Sequence, residues 1–300
     1  IGDYDGCHRR LREHKYTSCT VNPAAGMEKN LAITSAECQK LVAVVGGGPA
    51  GMEAARIAAL RGHKVVLYEK RDALGGHLIA ASVPDFKREH GDLISYFSTQ
   101  LKKLGVNVKL GEEATQQVLQ TIKPEVLFLA TGSVSITPDI CGVEGKNVIT
   151  AVDLLLGEKQ LGGSAIVLGG GIIGSETALY LAQRGIKTTV IEIMENIARD
   201  MFIVNRMHLL ELLKEVNVEI LTNTEASQIT TDGITVTDNH NRERTLPADT
   251  IVLAVGLKSD NALAKSLRSE VPEVYSIGDC VQPRRVINAI WEGYRTARVI

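Results

Sequence analysis

Gly46-Gly47-Gly48-Pro49-Ala50-Gly51 and Gly169-Gly170-Gly171-Ile172-Ile173-Gly174 repeat one glycine pattern 123 residues apart, and an acid, Glu69 or Glu192, stands 18 residues past each last glycine. This spacing suits a pyrophosphate. The first glycine (Gly46, Gly169) permits a tight turn, the second (Gly48, Gly171) lets backbone approach the phosphates, and the third (Gly51, Gly174) lets helix and strand pack closely. The helix N-terminus, opened in the first copy by Pro49 and Ala50, offers unpaired N–H groups to the anion, and the acid accepts hydrogen bonds from a ribose. One such motif is weak; two in register, each with its acid, lead us to expect two bound dinucleotides. A carboxylate at Glu192 repels a 2′-phosphate, and Ile193-Met194 supplies no arginine to neutralise one. NADH is therefore favoured over NADPH at the second copy.

The elements that must position these residues are legible around them. Leu41 to Val45 is an apolar run ending in glycines, followed by small apolar residues suited to a helix lying on a sheet and by a second strand, Lys64 to Tyr68, ending at Glu69. Ser164 to Leu168, Glu176 to Gln183 and Lys187 to Ile191 repeat that order, and Arg61-Gly62 and Arg184-Gly185 keep the offset of 123. The halves read as duplicates. The offset falls to 110 between Val106-Asn107-Val108 and Val216-Asn217-Val218 and returns to 124 between Ala130-Thr131-Gly132 and Ala254-Val255-Gly256. Extra residues therefore lie around Leu74 to His90 in the first half and between Ser227 and Asp249 in the second. The second insertion holds Asp232-Gly233 between β-branched runs, a hairpin signal, and reads as a small β-meander covering a sheet edge.

Composition bounds the rest. The chain has 300 residues, 44% hydrophobic, with 33 basic against 35 acidic side chains, which leaves no charge footprint for nucleic acid or an anionic membrane. No apolar stretch approaches the roughly 20 residues of a membrane span, and a cytoplasmic location is the expectation. Five cysteines at irregular spacing argue against a disulfide framework. Cys38, Cys141 and Cys280 read as packing residues. Val286 to Ile300 reads as a helix without a stop signal, and the chain as a piece of something longer.

Together the two folds, the strand Val126 to Leu129 running into Ala130-Thr131-Gly132, and Val274-Tyr275-Ser276-Ile277-Gly278-Asp279 resemble the glutathione reductase and ferredoxin reductase superfamily. The resemblance implies an α/β chain of two Rossmann-like dinucleotide-binding domains of the glutathione reductase type, the second inserted in the first. It implies a connecting segment at 1–40, a discontinuous FAD domain at 41–140 and 262–300, and an NAD domain at 141–261. Gly46, Gly48, Pro49, Ala50, Gly51, Glu69, Gly76, Thr131, Gly132, Gly278 and Asp279 would hold FAD, with Gly278-Asp279 at its ribityl and phosphate part. Gly169, Gly171, Gly174, Glu192 and Gly256 would hold NADH. His77, beyond Gly75-Gly76, is open to a flavin contact or a packing role.

Disulfide reductases of this superfamily need a C-x-x-C or C-x4-C pair, and no two cysteines here have either spacing. Cys7 and Cys19, followed by Thr20-Val21-Asn22-Pro23 and Ala24-Ala25-Gly26, instead resemble the linker of the multidomain NADH:flavin oxidoreductases. Those include the 2-enoate and 2,4-dienoyl-CoA reductases. Their linker binds a four-iron, four-sulfur cluster through C-I-G-C-x3-C-x11-C behind an N-terminal FMN barrel. Ile1-Gly2 and Cys7-x11-Cys19 fit that pattern, so Cys7 and Cys19 are the expected metal ligands, but Asp3 stands at the second ligand position. A carboxylate is a harder ligand than a thiolate. An intact cluster with an aspartate ligand, one with fewer ligands and a segment without a cluster all stay open.

The resemblance implies the electron-input portion of an enoate-reducing enzyme. NADH passes hydride to FAD, and electrons continue through the linker cluster to FMN in a barrel absent from this chain, where a C=C bond is reduced. No residue of this chain is expected to act on that substrate, and a homo-oligomer is possible. Two alternatives compete: a trimethylamine dehydrogenase-like portion with ADP in the first fold and an empty second one, and a non-catalytic nucleotide-sensing module.

Overall fold

The computed structural model describes residues 1–157, 161–263 and 271–300, and the chain divides into two compact units, Ile1–Val134 with Lys258–Ile300, and Ser135–Leu257. The sequence borders at 140/141 and 261/262 fall a few residues from these divisions, and 264–270 of the expected returning segment lie outside the described residues.

In the first unit five parallel strands lie in the order Glu273–Ser276, Val126–Leu129, Leu41–Val45, Lys64–Glu69, Asn107–Leu110. The central strands are continuously apolar because a parallel sheet is covered on both faces. On one face Val42, Val44, Leu67 and Phe128 pack against helix Pro49–Leu60, and on the other Ala43, Val45, Leu127 and Leu129 join Leu119 of helix Gln116–Ile122. Helix Pro49–Leu60 starts at Gly48, with proline in its first turn where no intrahelical N–H is required. Its small residues let helix Val286–Ala297 come close. A side chain on Gly293 would stand 2.5 Å from the Ala50 carbonyl oxygen. That last helix ends at Ala297, short of the expected Ile300.

Residues 1–40 carry one short helix, His8–Arg12, and are fastened to helix Val286–Ala297. Trp291 Nε1 donates to the Cys19 carbonyl at 3.0 Å and the Tyr294 hydroxyl to that of Leu31 at 2.6 Å. Arg285 pairs with Asp5 at 3.1 Å, and Trp291 lies beneath the guanidinium groups of Arg10 and Arg295.

The second unit repeats the sheet: Val148–Thr150, Thr250–Leu253, Ser164–Leu168, Lys187–Ile191, Glu219–Leu221, all parallel. Helix Ile172–Gln183 covers one face. The expected meander is present as the antiparallel strands Thr224–Thr230, Gly233–Asp238 and Glu243–Pro247. Two details differ. The hairpin loop is Thr231-Asp232, with Gly233 opening the next strand. The meander also covers a face of the sheet and not an edge: Ile229, Ile234 and Val236 bury themselves with Ile166, Leu168, Ile191, Ile251 and Leu253. Those strands are apolar on both sides, so the face away from the helix needs a second layer.

Candidate functional site

Both glycine loops leave a strand and enter a helix with the same three constraints. Gly46 (φ 109) and Gly169 (φ 101) occupy the left-handed half of backbone space, where added side chains would lie 2.2 Å and 2.5 Å from the Ala130 and Ala254 carbonyl oxygens. Gly51 and Gly174 would each place a Cβ 1.9 Å from the carbonyl oxygen of the loop's first glycine. Gly48 and Gly171 differ, since a Cβ there meets no protein atom within 4 Å. The room a side chain would occupy at those two positions is a cradle at the helix N-terminus, which suits a pyrophosphate.

The acids latch the loops. Glu69 accepts from the amides of Gly47 at 2.7 Å and Arg71 at 2.9 Å, and Glu192 from those of Gly170 at 2.7 Å and Met194 at 2.8 Å. The carbonyls of the same middle glycines accept from Gly75 at 2.8 Å and Ala198 at 2.7 Å. Each loop is thus held at both its N–H and its C=O. A carboxylate offers about four lone-pair sites, so two backbone donors leave capacity for ribose hydroxyls.

Around the first loop the structure gathers the other expected FAD residues. Gly76 (φ 55) rests against Gly48, whose Cα would be 3.1 Å from an added side chain. Gly278 (φ 71) faces Ala50, which is buried beneath it. The Thr131 hydroxyl donates to the Asp260 carbonyl at 2.5 Å, and Asp260 N–H to the Gly132 carbonyl at 3.0 Å, so the 131–132 turn is braced from behind while Gly132 (φ 80) stays open. Asp279 accepts from the Ser133 hydroxyl at 3.2 Å and the Arg284 amide at 3.1 Å, and its carbonyl accepts from the Ser259 hydroxyl at 2.8 Å. Burial raises the Asp279 carboxyl above its usual value, against the opposing pull of those donors and of His77. In the second unit, Gly256 (φ 120) has Ile136 3.5 Å from where a side chain would begin.

Sequence reasoning missed Arg284, Ser259 and Ser133, which hold Asp279 from 5, 20 and 146 residues away. No spacing signal marks them.

The metal expectation meets a different geometry. Cys7 and Cys19 are half-buried free thiols, and Asp3 accepts from the Thr20 hydroxyl at 2.9 Å and the Asp5 amide at 3.2 Å. Burial raises the Asp3 carboxyl above its usual value. Among the described residues no three of His, Cys, Asp and Glu gather as a metal site, so these residues do not fit a cluster by themselves. Cys280 is buried as expected, its thiol directed at the Leu129 and Ile277 carbonyls, whereas Cys38 and Cys141 are exposed and are not packing residues. Cys38 sits in an irregular segment, and Cys141 bridges to Gln228 of the meander through its backbone while the residue itself stays exposed. Among the described residues no helix is long and apolar enough to cross a membrane.

Paired parallel sheets, each with a glycine loop latched by its own acid, define a class of dinucleotide-binding oxidoreductase folds. The sequence pattern of the pyridine nucleotide-disulphide oxidoreductases matches residues 40–293, and the chain belongs to that family. It is 37% identical over 300 residues to a cinnamate reductase of Clostridium sporogenes, covering 99% of this chain and 44% of that one. It is 36% identical over 294 residues to an NADH oxidase of Thermoanaerobacter brockii, covering 96% and 45%. The solved structure of a 2-naphthoyl-CoA reductase in complex with 2-naphthoyl-CoA superposes with a TM-score of 0.96 at 36% identity, over 99% of this chain and 46% of that one. The chain thus spans about half the length of these relatives. The expected resemblance to the FAD- and NADH-binding part of enoate-reductase-like flavin oxidoreductases is borne out.

Proposed function

We propose that the chain is the electron-input portion of an NADH-dependent flavin oxidoreductase, with FAD held by the first glycine loop and NADH by the second. One observation carries the reading: two cradles of identical construction stand in one chain, and only the first is joined by a Gly278-Asp279 turn.

FAD, when bound, supplies the capacity to take a hydride from NADH and release its electrons singly. The chain's own residues bind and orient. The open faces at Gly48 and Gly171 admit the two pyrophosphates, Glu69 and Glu192 accept from the adenosine riboses, and Asp279 accepts from the ribityl chain. Glu192 opposes a 2′-phosphate and so favours NADH. Gly76, Thr131 and Gly132 shape the first cradle, and Gly256 the second. The partner is a substrate-reducing FMN barrel elsewhere in the same polypeptide, acting on an enoate-type C=C bond. Relatives that act on cinnamate and 2-naphthoyl-CoA support this substrate class. No transfer step is assigned to Cys7 and Cys19, and the proposed route within this chain ends at the FAD.

The test is spectroscopic. FAD supplied to the purified chain should be retained and its oxidised absorbance should bleach under anaerobic NADH, with NADPH much less effective. A chain that takes up no flavin, or holds flavin that NADH leaves oxidised, overturns the proposal.

A further inference from the structure

Given FAD in the first fold, on which this inference rests, one side chain near the cradle has no role in the scheme above. His77 follows the Gly75-Gly76 turn that backs onto Gly48, and its Nε2 lies 2.9 Å from the Ser133 carbonyl oxygen. A carbonyl oxygen only accepts, so Nε2 is the donor in this bond. Ser133 is 8% exposed, and its hydroxyl donates to Asp279 Oδ2 at 3.2 Å, while Oδ1 receives the Arg284 amide. Three segments far apart in sequence, at positions 77, 133 and 279, are thereby joined in one relay of hydrogen bonds.

We propose that His77 is a positioning residue of the flavin site: it fixes the Ser133 peptide, which aims the Ser133 hydroxyl at Asp279 and sets the orientation in which that carboxylate meets the ribityl hydroxyls. The physical requirement is plain. A carboxylate that must accept from a flexible polyol gains most when its own rotation is already restricted, because less freedom is then lost on binding. Two donors, one on each oxygen, restrict it. His77 restrains the Ser133 donor, so its effect reaches the flavin only through Asp279. The second fold lacks the device. No Gly-Asp sequence lies within Ser135–Leu257.

The test is a thermodynamic cycle on FAD affinity, read by titrating the apo form of the full chain, beside its thermal unfolding without flavin. His77→Ala should raise the FAD Kd about three- to tenfold, the range of one hydrogen bond. His77→Gln, whose amide can reach the same carbonyl, should restore most of it. In an Asp279→Ala background the His77→Ala change should have no further effect. A merely structural histidine would lower the Tm of the apo chain and cost the same in both backgrounds, and that result overturns the proposal. So does an unchanged Kd in His77→Ala. Should His77→Ala fail to fold, Ser133→Ala replaces it in the same cycle, with the same outcomes. Failure of the unaltered chain to bind FAD is a separate result; it removes the FAD reading and this inference with it.

Discussion

Glu192 accepts the amide hydrogen of Gly170 at 2.7 Å, the same bond at the same length as Glu69 makes to Gly47 in the other fold. The acid holds the loop, and in the proposed function it also meets the ribose. Glu192→Ala should weaken NADH binding by tenfold or more, since a charged acceptor contributes about 1.5–3 kcal/mol, with FAD retention unchanged. Calorimetric titration checks this, and unchanged NADH affinity would refute the ribose contact.

Gly171 and Gly174 separate binding from folding. At Gly174 a methyl group would collide with a backbone oxygen 1.9 Å away, whereas at Gly171, with φ −63, it meets no protein atom within 4 Å. Gly174→Ala should lower the unfolding midpoint, by overpacking worth about 1–3 kcal/mol. Gly171→Ala should leave it unchanged and still abolish NADH binding. Retained NADH binding in Gly171→Ala would show that the cradle is not where the pyrophosphate sits.

Glu53 and Arg56 form a buried pair on helix Pro49–Leu60, 2.7 Å apart, with the Glu53 side chain 1% exposed and its carboxyl raised by burial. Arg56→Met would leave that carboxylate without its partner and should cost about 3–5 kcal/mol in denaturant unfolding. Adding Glu53→Leu should recover most of the loss. A double variant as unstable as the single one would contradict this account.

Burial, with help from Lys87, lowers the His90 imidazole from 6.5 to about 4. As pH falls, the unfolded chain takes up the proton first. The contribution of neutral His90 is thus fully present above about 6.5 and is lost progressively toward 4. Urea midpoints measured across that window should fall less steeply for His90→Gln than for the unaltered chain; parallel curves would exclude His90 as a source of acid sensitivity.

Which parts were legible in the sequence follows from the kind of constraint. Gly46 and Gly169 are marked because their backbone angles exclude most side chains, and Gly51 and Gly174 because carbonyl oxygens lie where a Cβ would be. Such demands restrict residue type at fixed spacing and so survive in a string of letters. The bond from Ser133 to Asp279 spans 146 positions and asks only for a hydroxyl. Many residues satisfy that, and nothing in the string singles one out. The meander shows the same limit: Asp232-Gly233 between β-branched runs revealed its strands, but the surface they cover depends on where the sheet still needs a layer.

The first sheet is completed by Glu273–Ser276, which pairs with Val126–Leu129 only after the whole of Ser135–Leu257 has been made. Every strand of the second sheet lies within that intervening stretch. During synthesis from the N-terminus the inserted unit can therefore close its sheet while the first still lacks an edge strand and the helix Val286–Ala297. The sheet that Leu41–Val45 centres thus cannot be completed until Glu273–Ser276 has been made.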